Sequence, residues 1–170
     1  MLSLSTEEHR RIAPGTVSVA ILTVSDTRTL ETDEGGRAIE SRLVAAGHTV
    51  SARRIVADER TAITAIARHL LGLPGIDALL VTGGTGLAAR DQTTEAISPL
   101  FDASLPGYGE LFRMLSYQEI GPAAMLSRAC AGRVGQQLVF TMPGSPAGVA
   151  LAMERLIVPE LSHLVFHAKG

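Results

Sequence analysis

Ala78-Leu79-Leu80-Val81-Thr82-Gly83-Gly84-Thr85-Gly86-Leu87-Ala88-Ala89-Arg90-Asp91-Gln92-Thr93-Thr94-Glu95 is the stretch from which the fold can be read. Its first four residues are apolar, as in a strand buried on both faces. Thr82-Gly83-Gly84-Thr85-Gly86 then breaks the strand, and Asp91 stands just before a helix-start pattern. A strand that runs into a glycine-rich loop and then a helix is how α/β proteins build anion sites, because main-chain N–H groups and the helix N-terminus face the ligand. The glycines admit positive φ and let a ligand approach the backbone. Thr82 and Thr85 add hydroxyls that donate or accept. No Lys-Ser or Lys-Thr follows Gly86, so this is not a Walker A loop, and the third glycine of the dinucleotide fingerprint is missing.

Working outward, residues 17–24 and 49–56 read as strands and 77–81 as the strand that enters the loop. Between them, Ile39, Leu43 and Val44 mark a helix over 36–46, and Ile63, Ile66, Ala67, Leu70 and Leu71 mark a second, ended by Gly72-Leu73-Pro74-Gly75. Successive strand–helix units predict a parallel sheet with right-handed crossovers. Downstream, a helix starts at Thr93 or Thr94 and runs to residue 100. A turn over 105–110 leads to a helix over 110–120, stopped by Gly121-Pro122. Residues 127–134 and 137–142 are joined so closely at Gly135-Gln136 that they must be antiparallel. A last helix spans 147–164, with Pro159 as a candidate kink and a loose tail over 163–170. The expected fold is therefore a three-layer α/β domain over 16–165, a mostly parallel sheet with one antiparallel strand and helices on both faces, preceded by a flexible arm over 1–15.

A chain of 170 residues with 46% apolar content can bury one sizeable core. Its net charge of −2 and 4% aromatic content make nucleic acid a poor partner. Cys130 is the single cysteine, which excludes an intrachain disulfide or a thiolate metal cluster, and its apolar surroundings read as a strand. No apolar run is long enough to span a membrane and the N-terminus lacks a signal-peptide core, so no membrane partner and a cytoplasmic location are expected. His9, His48, His69, His163 and His167 show no zinc spacing and read as surface residues.

Three loops follow strand ends, and in open α/β sheets ligands bind at that edge. Ser25-Asp26-Thr27-Arg28-Thr29 carries hydroxyls and a cation, the glycine loop carries donors, and Pro143-Gly144-Ser145-Pro146 presents N–H groups at a helix start. Asp91 is either a helix cap or a metal ligand. Thr93 or Thr94 could cap instead, and a carboxylate beside a phosphate loop suggests Mg2+ carried by a nucleotide. Asp58 is either the cap of the next helix or a second carboxylate on the same edge.

Taken together, Ala20 to Asp26, the glycine loop with Asp91-Gln92-Thr93, Pro106-Gly107-Tyr108-Gly109-Glu110, Leu126-Ser127-Arg128 and Met142-Pro143-Gly144-Ser145 resemble the MoaB/MogA family of molybdenum cofactor biosynthesis proteins. Phe112 to Gly121 is closer to the MoaB branch. The resemblance implies Mg-ATP-dependent adenylylation of molybdopterin with release of pyrophosphate, ahead of metal insertion by a MoeA-type enzyme. The alternative it leaves open is a molybdopterin carrier without turnover. It implies Asp91 and Asp58 as catalytic residues that hold Mg2+ transiently with ATP. Ser25, Asp26, Thr82, Gly83, Gly84, Thr85, Gly86, Glu110, Ser127, Pro143, Gly144 and Ser145 become substrate-binding residues. It further implies a trimer or hexamer and no permanent prosthetic group. Arg28 and Arg90 are candidate cations near the phosphates.

Overall fold

The computed structural model describes residues 15–170, so the expected arm lies, but for Gly15, outside the described residues. Strand β1 (Ser18–Val24) is flanked by β2 (Thr49–Val56) and β3 (Ala78–Thr82), and the sheet continues through β6 (Gln137–Met142), β5 (Ala131–Val134) and β4 (Ala103–Ser104). β1, β2, β3 and β6 are parallel; β5 runs against both its neighbours. Val24 lies opposite Val56, Thr23 opposite Thr82 and Thr82 opposite Met142. The four parallel strands therefore finish together, and the loops after them share one edge. β1 sends its successors to opposite sides, β2 to one and β3 to the other, which opens a crevice at the ends of β1 and β3.

Both faces of the sheet are apolar because alternate residues of each strand point opposite ways. Val19 and Ile21 of β1, Leu80 of β3 and Phe140 of β6 meet α1 (Glu34–Ala45), α4 (Pro106–Ile120), α5 (Pro146–Ala152) and α6 (Val158–Lys169). Ala20, Leu22, Leu79, Val81 and Val139 meet α2 (Arg60–Leu71) and α3 (Thr93–Ile97).

Several expected boundaries shift for local reasons. α1 starts at Glu34 because Asp33, buried, accepts the Gly36 N–H at 2.8 Å and the Thr23 hydroxyl at 2.9 Å and pairs with Arg53. α3 gives way to a 3-10 turn at Ser98–Leu100. α4 begins at Pro106, inside the stretch read as a turn, since a proline at the first helical position lacks only an N–H that the helix does not use there. Gly121 ends α4 at φ +65°, and 3-10 turns over Gly121–Leu126 delay β5 to residue 131, which leaves Cys130 outside the strand. β4 escaped the sequence reading because two residues carry no periodicity. The last helix is not straight: a π turn at Met153–Ile157 precedes Pro159, which has no N–H for the Arg155 carbonyl. The expected loose tail is instead helical to Lys169, with Val165 fully buried and Lys169 paired with Asp77 at 2.6 Å. His48 is a buried residue, not a surface one; its Nδ1 accepts the Val17 N–H at 3.3 Å.

Candidate active site

The glycine loop leaves β3 at Gly83, with φ +98°, and Gly84, with φ +63°. A side chain at Gly83 would strike the Val24 carbonyl, 2.3 Å from its Cβ, so the loop can press against β1 only without one. Thr93 fastens the loop from below: its N–H donates to Gly84 O at 3.0 Å and its hydroxyl to Gly83 O at 2.7 Å. Thr82 donates to Pro143 O at 3.0 Å, which ties the loop after β6 to the same edge.

Both expected carboxylates lean on this loop. A Cβ on Gly84 would fall 2.7 Å from Asp58 Oδ2, and one on Gly86 would fall 2.6 Å from Asp91 Oδ2. Neither aspartate caps a helix. Glu59 caps α2, accepting from Thr61 N at 3.0 Å and Ala62 N at 2.8 Å, which leaves Asp58 to accept the Gln92 N–H at 3.0 Å. α3 has no side-chain cap at all, since Thr94 donates to Arg128 O and Asp91 Oδ2 turns back to the Ala88 N–H at 2.9 Å. The Asp58 N–H donates to Asp26 Oδ1 at 2.9 Å, and Asp26 pairs with Arg90. Three carboxylates thus gather where β1, β2 and β3 end. Burial pushes the Asp58 pKa above 3.8, the Asp91 and Asp26 charges push it the same way, and the Gln92 N–H bond and Arg90 oppose.

On the other side of the loop lies a cleft of about 260 Å3. Thr85 and Gly86 form one wall, Ser127, Pro143 and Ser145 line it, and Phe112 lies in its apolar part. Ser145 caps α5, its hydroxyl accepting the Gly148 N–H at 3.2 Å, and Ala147 and Gly148 of this first turn also line the cleft. The glycine loop is a shared partition, with an apolar cleft against Thr85 and Gly86 and carboxylates against Gly84 and Gly86.

Residues 20–163 match the family described as "Probable molybdopterin binding domain". The chain is 50% identical to molybdenum cofactor biosynthesis protein B of Halalkalibacterium halodurans over 163 residues, 95% of this chain and 96% of that one. It is equally similar to the protein of that name from Bacillus subtilis. The chain belongs to the MoaB/MogA family of molybdenum cofactor biosynthesis proteins. Within the family it is nearer the MoaB side. A crystal structure of molybdenum cofactor biosynthesis protein B superposes with a TM-score of 0.89 at 47% identity, covering 92% of this chain and 98% of that chain. The tungsten cofactor synthesizing protein MoaB from Pyrococcus furiosus gives 0.84 at 36% identity, covering 93% and 100%. A MogA structure gives 0.81 at 27%, covering 89% and 99%.

In this family member, Ser25 lies beside the carboxylates rather than the cleft; its hydroxyl accepts the Thr27 and Arg28 N–H groups at 3.3 and 3.2 Å and shapes the loop after β1. Arg28 donates to Thr32 O at 3.1 Å. Glu110 is exposed and lines a separate hollow with Arg113 and Cys130. Burial raises the Cys130 pKa, which suits a packed thiol and not a nucleophile. Among the described residues, no group of three or more His, Cys, Asp or Glu is placed to hold a metal. The donor set of Asp58 and Asp91 fits Mg2+ that arrives with phosphate ligands of its own. The residue that sequence reasoning passed over is Arg128. Its main-chain N–H donates to Thr85 O at 3.0 Å, Nε to Gly86 O at 2.7 Å and Nη2 to Asp91 O at 2.8 Å, and Nη1 pairs with Glu95. Its only signal was its place in Leu126-Ser127-Arg128. Among the described residues, no helix is long and apolar enough to cross a membrane.

Proposed function

We propose that this protein transfers an adenylyl group from Mg-ATP to the terminal phosphate of molybdopterin. A phosphate oxygen of the pterin attacks the α-phosphorus of ATP, the bond from that phosphorus to the bridging oxygen breaks, and pyrophosphate leaves. The observation that carries this reading is the partition itself: one glycine loop walls the cleft with Thr85 and Gly86 and backs onto Asp58 and Asp91. The two substrates are both anions, so the barrier is one of repulsion and orientation rather than of covalent chemistry on the protein. The cleft takes the pterin and leaves its phosphate at the loop, where main-chain N–H groups receive it. Asp58 and Asp91 would hold the Mg2+ that comes with the nucleotide, and the chemistry it would supply there is neutralisation of phosphate charge. The product then passes to a metal-insertion enzyme of the MoeA type.

The test is incubation with molybdopterin, ATP and Mg2+, with adenylyl-molybdopterin and pyrophosphate measured together. Wild type is expected to form both in equal amounts. Asp91→Asn is expected to lose about 100-fold or more in turnover while its molybdopterin affinity stays within about tenfold, because the carboxylate serves the transition state. Wild-type turnover in that variant would remove Asp91 from the chemistry. No product from a wild-type protein that still binds molybdopterin would leave the carrier function in its place.

A further inference from the structure

We propose that Arg128 is a positioning residue that holds the Asp91 carboxylate in register with Asp58 by bracing both ends of the turn that carries it. The turn over residues 87–90 is exposed, and its internal bonds, Ala88 N to Asp91 Oδ2 and Asp91 N to Ala88 O, are local. They orient the carboxylate within its own turn and not relative to the sheet. On the Asp58 side, the Gln92 N–H bond and the Arg90–Asp26 pair hold the turn. On the opposite side the brace is Arg128, which comes from the connection between α4 and β5. Its guanidinium reaches Gly86 O at the start of the turn and Asp91 O at its end, and its own N–H holds Thr85 O.

Several features separate a brace from a substrate contact. The bonds from Nε and Nη2 end on main-chain carbonyls, and the third nitrogen is occupied by Glu95. Arg128 is absent from the lining of the cleft, although its neighbour Ser127 is present. A planar fork with fixed donors can span several acceptors at once, whereas a lysine ammonium is a point charge on a flexible stem. Arg128→Lys therefore keeps the charge and loses the geometry.

The consequence for turnover rests on the adenylyl-transfer reading above; the brace itself does not, so two readouts are needed. In the full-length chain, hydrogen exchange of the peptide covering residues 86–92 is expected to be faster in Arg128→Lys than in wild type, with an unchanged circular dichroism spectrum. In the transfer assay, the same variant is expected to lose about 10- to 100-fold in kcat, as a small misplacement of a reacting group does. It should need about fivefold or more Mg2+ for half-maximal rate, with KM for molybdopterin within about threefold. Loop exchange at the wild-type rate overturns the brace. Wild-type kcat and Mg2+ dependence overturn its catalytic consequence. A rise of more than about tenfold in KM for molybdopterin, with kcat and Mg2+ dependence unchanged, makes Arg128 a substrate contact and overturns the proposal. Should Arg128→Lys fail to fold, Glu95→Gln carries the test. It removes the charge that anchors the fork and is expected to shift exchange and Mg2+ dependence the same way by a smaller factor; no shift in either overturns the proposal. A wild-type protein without transfer activity defeats the functional reading alone, and the exchange experiment still decides the brace.

Discussion

Asp58 stands close enough to Asp91 and Asp26 to feel both charges. Burial raises its pKa above 3.8, and the two like charges add to the effect. Its folded state therefore keeps the proton longer than the unfolded chain does. The stability it contributes is complete below the unfolded value and is lost as pH rises through the folded one. For the proposed transfer the sign is different, because only the ionised carboxylate would serve Mg2+. The acid limb of kcat/KM is expected to lie above 3.8 and to move to lower pH in Asp26→Asn. That substitution keeps an Oδ1 acceptor for the Asp58 N–H and removes a negative neighbour, while Arg90, released from its pair, pulls the same way. An acid limb that stays in place or rises in Asp26→Asn would show that Asp58 does not govern it. At this scale, residue types and their loops were legible from the chain alone, but partners were not. Asp58 and Glu59 are adjacent acids at a helix start, and only the position of Gln92 across the crevice assigns the cap to Glu59 and the site to Asp58.

The last helix shows what periodicity reveals of an element and where it fails. Val149, Met153, Leu156 and Ile157 mark it clearly, but Pro159 reads as a kink and residues 163–170 as a loose tail. The chain keeps the helix by widening one turn ahead of the proline, and packing then rewards the continuation: Leu161 and Val165 are each fully buried. Val165→Ala is accordingly expected to lower unfolding free energy by about 2 kcal/mol, the loss of a buried branched side chain plus its cavity. Urea denaturation measures it, and a change below about 0.5 kcal/mol would mark residues 163–170 as the dispensable tail that their composition suggests. α4 illustrates the same limit at its other end. Pro106 and Gly107 look like turn residues, yet Tyr108, one residue later, is buried and donates to Thr141 O at 3.0 Å, so the turn is drawn into the helix.

For the whole molecule, strand order decides where chemistry can happen. β1, β2, β3 and β6 all end at one edge, and the change of direction at β1 opens it. The opposite consideration is the surface of α4, where Leu111, Met114, Tyr117 and Ile120 are all exposed at helical spacing, with Met125 beside them 80% exposed. Apolar side chains spread over the exposed half of one helix are more than scattered surface apolarity, and the trimer or hexamer that the family resemblance implies would give them cover. Light scattering at micromolar concentration is expected to give a mass of three or six chains, and a mass of one chain would contradict the assembly.

By itself the sequence determined the alternation of strands and helices, the buried parallel strands, the antiparallel pair joined at Gly135 and the set of loops that finish at one edge. Each is written in short-range patterns: apolar periodicity, glycine and proline punctuation, and connection length. Tertiary structure alone decided what the glycine loop divides. The stretch from Ala78 to Glu95 places Asp91 after the loop but says nothing of Asp58 against Gly84, the cleft behind Thr85, or Arg128 bonded to both ends of the turn. Those contacts join residues that are distant along the chain, and they exist only because β3 pairs with β1 and β6 in one particular register. A side chain's local pattern encodes which face it takes; the backbone brought opposite it decides what it does there.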